Sequence, residues 1–115
     1  MPPSLKLNSI EREVTIAAQG VELNGILGLP TGASAIVVFA HGSGSSRLSS
    51  RNNFVARVLQ RQRIATLLMD LLCQREELDR SQVFDIELLA SRLEMAKAWL
   101  HLQPETSALK VGYFG

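Results

Sequence analysis

Residues 35–46, AIVVFAHGSGSS, join an unbroken apolar run to a loop rich in glycine and serine, and this junction determines the fold class. A strand that is apolar at every position is covered on both faces, as in a parallel sheet flanked by helices. The run ends at His41, after which Gly42 and Gly44 allow backbone conformations that other residues avoid. We therefore predict a buried strand over Ile36–Ala40 with a functional loop at its carboxyl end.

Two strands are predicted before this junction. Apolar and polar residues alternate over Arg12–Ala18 and again over Val21–Leu29, with Gln19-Gly20 as a two-residue turn between them. This pattern indicates an antiparallel hairpin. Gly25 and Gly28 lie inside the second strand, where glycine often marks a bulge or a bend.

Two helices are predicted after the junction, and a strand separates them. Ser49 or Ser50 caps the first helix, which runs to about Gln62. The second helix extends over residues 84–102, and Ile64–Leu72 between the two is a second buried strand. The positions predicted to face the core recur every three or four residues. They are Phe54, Val55, Val58 and Leu59 in the first helix, and Ile86, Leu88, Leu89, Leu93, Met95, Ala96, Trp99, Leu100 and Leu102 in the second.

The whole order of elements predicts an α/β fold. A third buried-type strand at Leu109–Phe114 completes the series β-β-β-α-β-α-β, which favours three layers with a mostly parallel sheet and an antiparallel hairpin at its N-terminal side. Cys73–Gln82 is polar and charged, so we expect a surface loop there. Residues 1–10 contain two prolines and are expected to fray, and residues 11–115 are too few for more than one domain.

Composition excludes several classes of protein. The formal net charge is +1 over 115 residues, which gives no electrostatic attraction to nucleic acid or to an anionic membrane. No apolar stretch reaches eighteen residues, and the first residues lack a signal-peptide core. The lone Cys73 cannot form an internal disulfide and has no partner at metal-ligand spacing. We expect a cytoplasmic protein without metal or cofactor, and with neither nucleic acid nor membrane as a partner.

The loop at residues 41–46 has three interpretations. Its backbone N–H groups could stabilise an oxyanion during acyl transfer, or they could bind a phosphate at a helix N-terminus. Gly42 and Gly44 give G-x-G, but the third glycine of a dinucleotide site and the G-K-[ST] of a P-loop are both missing. The third interpretation is a flexible turn without a ligand.

The segment Ile36–Gly44 resembles the third strand and oxyanion-hole loop of α/β-hydrolases, and the chain as a whole resembles their dienelactone-hydrolase-like branch. The resemblance continues through residues 49–52, 65–72, 84–93 and Trp99-Leu100. It covers nearly the whole chain from about Ile16 onward. The resemblance implies that the strand order places Ile36–Ala40 between the other two buried strands.

The resemblance also implies which residues carry the chemistry. It assigns the backbone N–H of Ser43 to the oxyanion hole, with His41, Gly42 and Gly44 as the supporting loop. Family nucleophiles, which are Ser or Cys, lie on G-x-S-x-G at a strand-to-helix elbow. Here Gly115 is similar to the first glycine of that elbow, so the nucleophile and the acid and histidine that follow it are expected beyond residue 115.

The expected function is therefore a fragment of a serine-type hydrolase that acts on ester or lactone-like carbonyls and is inactive as this chain. The complete enzyme would take a small-molecule substrate. Two alternatives remain open: a module that binds phosphate or another small anion, and a non-catalytic chain that pairs through its open sheet edge. For the isolated chain, as the N-terminal half of a hydrolase domain over residues 11–115, we expect either self-association through that edge or instability until the rest of the domain is supplied.

Other polar residues are given lesser roles. Ser43, Ser45 and Ser46 have no base placed for them as nucleophiles. Asp70 follows a buried strand and is expected to orient a loop rather than to act as the catalytic acid. His101 is expected on the surface, as are the arginines at positions 47 and 51 unless they are paired.

Overall fold

The computed structural model describes residues 9–40, 47–83 and 85–115. These residues form five strands and four helices. The strands are β1 (Ser9–Ala18), β2 (Val21–Pro30), β3 (Ala35–Phe39), β4 (Ala65–Met69) and β5 (Lys110–Phe114). The helices are α1 (Ser50–Arg61), α2 (Gln74–Glu77), α3 (Arg80–Val83) and α4 (Ile86–Leu102).

One mixed sheet contains all five strands in the order β1-β2-β4-β3-β5. β2 is antiparallel to β1 and to β4, whereas β3 is parallel to both β4 and β5. The predicted position of β3 between the other two buried strands is thus confirmed, as is the α/β class.

The two faces of the sheet carry separate cores. On one face α4 packs against the larger cluster, in which Ala96 and Leu100 meet inward side chains such as Ile36 and Val38. On the other face α1 packs through Ala56 on Phe39 and Leu68. All five residues of β4 are buried, because this strand lies in the middle of the sheet with a helix on each side.

The hairpin differs from its prediction in two details. Its turn is at Gln19-Gly20 as expected, with φ of 51° and 83°. However, β1 pairs with β2 without interruption from Ser9↔Pro30 to Ala18↔Val21, so the predicted bulge in the second strand is absent. Ser9 and Ile10 belong to β1, and the fraying expected over residues 1–10 therefore does not apply to these two; residues 1–8 lie outside the described part of the chain.

Gly28 has a packing role instead. A Cβ at this position would overlap the side-chain amide of Gln60 and lie 2.9 Å from Thr66 Oγ1. Gln60 Nε2 donates a hydrogen bond of 2.8 Å to that same hydroxyl. The missing side chain thus lets α1 approach the sheet closely enough for this contact.

Several predicted boundaries and faces were wrong. The second buried strand ends at Met69, not Leu72, and the segment expected to be a surface loop contains the short helices α2 and α3. In α1 the buried residues are Asn52 and Ala56, whereas Phe54 and Val58 are exposed. In α4 the end positions Ile86 and Leu102 are exposed and Arg92 is buried. The spacing of apolar residues alone therefore did not predict which residues of α1 and α4 face the sheet.

Candidate functional site

The described residues next to the predicted site lie at the carboxyl edge of the three parallel strands, where β3, β4 and β5 end. Ligands of open α/β sheets bind at this edge. The predicted oxyanion-hole donor Ser43 and its supporting residues His41, Gly42 and Gly44 lie outside the described residues, as do Ser45 and Ser46. The described part of the site consists of the residues on either side of this segment, Ala40 and Arg47, together with the groups that they contact.

Ala40, directly before the loop, is held by the end of β5. Its N–H donates to the carbonyl oxygen of Phe114 over 2.8 Å, which extends the β3–β5 ladder beyond the strands themselves. Gly115, the predicted first glycine of the elbow, follows at once. A Cβ on Gly115 would lie 3.3 Å from the carbonyl oxygen of Ala40, so the two chain segments approach closely here. The structure therefore brings the end of β5 beside the start of the loop.

Arg47, directly after the loop, is held by the end of β4. Its backbone N–H donates to Asp70 Oδ1 over 2.8 Å, and its guanidinium Nη1 donates to Asp70 Oδ2 over 2.6 Å. The side chains are mostly sheltered, with 22% of Arg47 and 14% of Asp70 exposed. Asp70 thus makes the loop-orienting contact that was expected of it, and Arg47 is paired, whereas Arg51 is exposed.

The first turn of α1 also holds Arg47 in place. Ser49 is the N-cap and its hydroxyl accepts from the N–H of Asn52, as predicted from the sequence. Asn53 donates through Nδ2 to the carbonyl oxygens of Arg47 and Ser49, each over 2.9 Å. Both backbone groups of Arg47 are consequently engaged.

A second polar cluster next to this edge was missed by the sequence analysis. The Arg92 side chain, 2% exposed, donates to both carboxylate oxygens of Glu76, to the carbonyl oxygen of Leu71 and to Gln19 Oε1. The hydrogen bonds from Arg92 hold the pKa of Glu76 down at about 2, against an opposing effect of burial. An arginine inside an otherwise apolar helical stripe was the available signal.

The cluster ties the hairpin turn to the segment that leaves β4. Glu76 Oε1 also accepts from the N–H of Cys73, at the start of α2. Every donor nitrogen of the Arg92 guanidinium has an acceptor, which is the condition under which a buried charge is tolerated. These contacts join α4, the start of α2 and the hairpin turn, and we regard the cluster as structural.

Among residues 9–40, 47–83 and 85–115, no cluster of His, Cys, Asp and Glu has the composition of a metal site. Cys73 is a free thiol of intermediate exposure, and His101 is exposed in the last turn of α4, as predicted. In the same part of the chain, no helix is long and apolar enough to cross a membrane.

Comparison with solved structures places the chain beside the hydrolases that its sequence resembles. A dienelactone hydrolase from Anabaena variabilis is 54% identical, with a TM-score of 0.88; the match covers 94% of this chain and 52% of that protein. Est1E from Butyrivibrio proteoclasticus is 13% identical with a TM-score of 0.71, covering 90% and 40% of the two chains. A dienelactone-hydrolase-like promiscuous phosphotriesterase from metagenomic libraries is 21% identical with a TM-score of 0.68, covering 92% and 48%. At 13% and 21% identity, Est1E and the phosphotriesterase show the shared fold alone.

Curated proteins give a different kind of match. Proteins from two strains of Mycobacterium tuberculosis, each provisionally named a phosphoribosyl transferase, are 55% identical over 105 residues. The match covers 91% of this chain but only 24% of either relative. No family model matches the chain. The chain therefore spans about half the length of the Anabaena hydrolase and about a quarter of the mycobacterial proteins.

Proposed function

Because the chain shares its fold with about half of a dienelactone hydrolase and is 54% identical to it over the matched residues, we propose that it is the N-terminal part of an enzyme that hydrolyses esters or lactones. In this proposal the N–H of Ser43 stabilises the oxyanion, and Gly115 begins the elbow that carries a Ser or Cys nucleophile. The nucleophile would form an acyl-enzyme intermediate, which water then hydrolyses. A small-molecule substrate and a cytoplasmic location belong to the same proposal.

One observation supports this assignment more than any other. The residue before the proposed oxyanion loop is hydrogen-bonded to the residue before the proposed elbow, since Ala40 N–H donates to Phe114 O over 2.8 Å. An oxyanion hole needs one donor from each of these two segments, so they must lie side by side. β3 and β5 are neighbours in the sheet, so the residues from which the two proposed segments begin, Ala40 and Gly115, lie at the same edge, which supports the proposal.

Phosphoribosyl transfer is the second candidate, because two relatives carry that name. A match of 105 residues that covers 24% of a relative implies roughly 440 residues in that protein, enough for more than one domain. The name can therefore derive from the part of the relative that this chain does not match. The G-x-G of the loop also lacks the further residues of known phosphate-binding motifs.

The test joins residues 1–115 to the remaining half of the Anabaena variabilis hydrolase and measures turnover of an activated aryl ester. We expect turnover that disappears when the elbow nucleophile is replaced by alanine. Ser43→Pro removes the proposed donor N–H and should lower kcat by a factor of about 100 to 1,000. Thermal stabilisation by phosphoribosyl pyrophosphate, with no ester turnover, would favour the second candidate instead.

The isolated 115-residue chain provides a further prediction. It contains at most one of the two oxyanion donors and no elbow nucleophile, so its ester turnover should equal the protein-free background. Turnover above that background, lost on Ser43→Pro, would place a nucleophile within these 115 residues and contradict the proposal. A parallel preparation of the Ser43→Pro chain controls for contaminating esterases.

A further inference from the structure

We propose that Asp70 is a positioning residue for the hydrolytic reaction, a proposal that rests on the function proposed above. Asp70 does not touch the reacting atoms. It fixes Arg47, and thereby the end of the segment that carries the oxyanion donor. From its place after a buried strand Asp70 was expected to orient a loop, and the residue that it holds is Arg47.

The geometry of the carboxylate carries the proposal. One oxygen accepts the backbone N–H of Arg47 at 2.8 Å and the other accepts its guanidinium at 2.6 Å. Only 14% of the Asp70 side chain is exposed. Charge-assisted bonds of this length in a sheltered place hold backbone geometry far better than an exposed ion pair does.

Asp70 is itself held in place. It directly follows β4, the fully buried central strand, and its own N–H donates to the carbonyl oxygen of Asn24 over 2.9 Å. The backbone of Asp70 is therefore held both by β4, which it follows, and by Asn24 of β2. A side chain attached to a mobile loop could not define the position of Arg47 in this way.

The residues on both sides of the donor segment are anchored to different strands. Ala40 donates a hydrogen bond to the end of β5. Arg47 donates its backbone N–H to Asp70, and its carbonyl oxygen accepts from Asn53. The segment 41–46 thus starts and ends at positions that the sheet and α1 determine. Because an error of about 1 Å in the placement of a catalytic group can cost a factor of about 100 in rate, the Asp70 anchor should influence kcat.

The experiment uses the complete polypeptide that carries residues 1–115, or the hybrid enzyme described above. Asp70→Ala removes both bonds and should lower kcat by a factor of about 10 to 100, with KM changed less than about threefold, since the oxyanion contact forms mainly in the transition state. Asp70→Asn keeps an acceptor for the Arg47 N–H and should recover most of this loss, leaving kcat about three- to tenfold low. Arg47→Gln keeps the backbone bond and should reduce kcat less than Asp70→Ala.

Active-site titration with a phosphonate that labels the nucleophile normalises kcat to folded enzyme. Gly28→Ala is the matched control for loss of stability. Gly28 pairs with Thr66, which lies at the end of β4 opposite to Asp70, so the kcat of this variant per labelled site should equal that of the wild type. If Asp70→Ala fails to fold, Asp70→Asn decides. A kcat of either Asp70 variant equal to wild type overturns the positioning role, whereas an inactive wild type overturns the proposed function itself.

Discussion

At the scale of single residues, Arg92 shows how a charged side chain becomes part of an apolar core. It is 2% exposed in the middle of α4, on the face that packs against the sheet. A guanidinium can be buried there because acceptors from a turn, a loop and a helix surround it, and the carboxylate of Glu76 balances its charge. Removing the Glu76 carboxylate leaves the Arg92 charge buried without a counter-charge, which costs about 3–5 kcal/mol.

The depressed pKa of Glu76 makes a prediction about acid stability. Its folded-state pKa is about 2 and its ordinary value is 4.5, so the ionised group stabilises the folded state above pH 4.5. This contribution should disappear as the pH falls from 4.5 towards about 2. Urea unfolding of the complete enzyme over a pH series should show Glu76→Gln to be less stable at pH 7 and less pH-dependent in this window.

Glu77 provides the matched control for that series. It is the next residue, it is exposed, and it makes no contact with Arg92 among the described interactions. Glu77→Gln should therefore leave the acid dependence unchanged. If Glu76→Gln and Glu77→Gln give the same stability at pH 7 and the same acid dependence, the ion pair with Arg92 does not stabilise the fold.

At the scale of elements, the contact between α1 and the sheet depends on a missing side chain. Gln60 of α1 reaches over Gly28 of β2 to bond Thr66 of β4. α1 therefore presents Asn52 and Ala56 to the sheet, while Phe54 remains 62% exposed. The outer face of α1 thus offers apolar surface that the described residues leave uncovered.

Gly28→Ala tests this account of the α1 contact. The added methyl group meets the Gln60 amide and the Thr66 hydroxyl, so we expect a destabilisation of about 1–3 kcal/mol by thermal or urea unfolding. The double variant Gly28→Ala/Gln60→Ala removes the obstructing side chain and should cost less than the two single changes added together. Strict additivity would show that the glycine is there for another reason.

At the scale of the whole molecule, the sheet of this chain has an open side. β5 pairs with β3 on one side only within the described sheet, and its edge carries Lys110 as the single charged residue. Phe114 contacts Phe39 at a ring-centroid distance of 5.2 Å yet stays 45% exposed, and Tyr113 is 48% exposed. Unpaired strand edges with apolar side chains favour association with another chain.

We therefore predict that the isolated 115-residue chain self-associates through β5. Analytical ultracentrifugation over a concentration series should show a rising average mass, and Tyr113→Lys should shift the chain towards monomer. Tyr113 is a better site for the charge than Val111, because Val111 packs against the core and a lysine there would also disturb folding. A stable monomer at all concentrations, with a cooperative melt, would contradict the prediction.

The sequence by itself determined the class of fold and the order of the five strands and the two long helices. These features follow from hydrophobic patterning and capping: an apolar strand such as β4 is covered on both faces, and a serine at position 49 or 50 begins a helix. The family resemblance supplied the strand order that the structure confirmed. The loop that its glycines predict at residues 41–46 lies outside the described residues and stays a prediction.

Only the tertiary structure decided which polar residues meet. Arg47 and Asp70 are 23 positions apart, Arg92 and Gln19 are 73 apart, and no local pattern links either pair. The rotation of α1 was equally hidden, because its apolar spacing predicted Phe54 and Val58 on the inner face, whereas Asn52 and Ala56 are the buried residues. The spacing of residues along the chain indicates which face of a helix or strand is apolar. Which charged side chains pair, and which surfaces fit together, depends on distances between elements, and only the folded structure determines those distances.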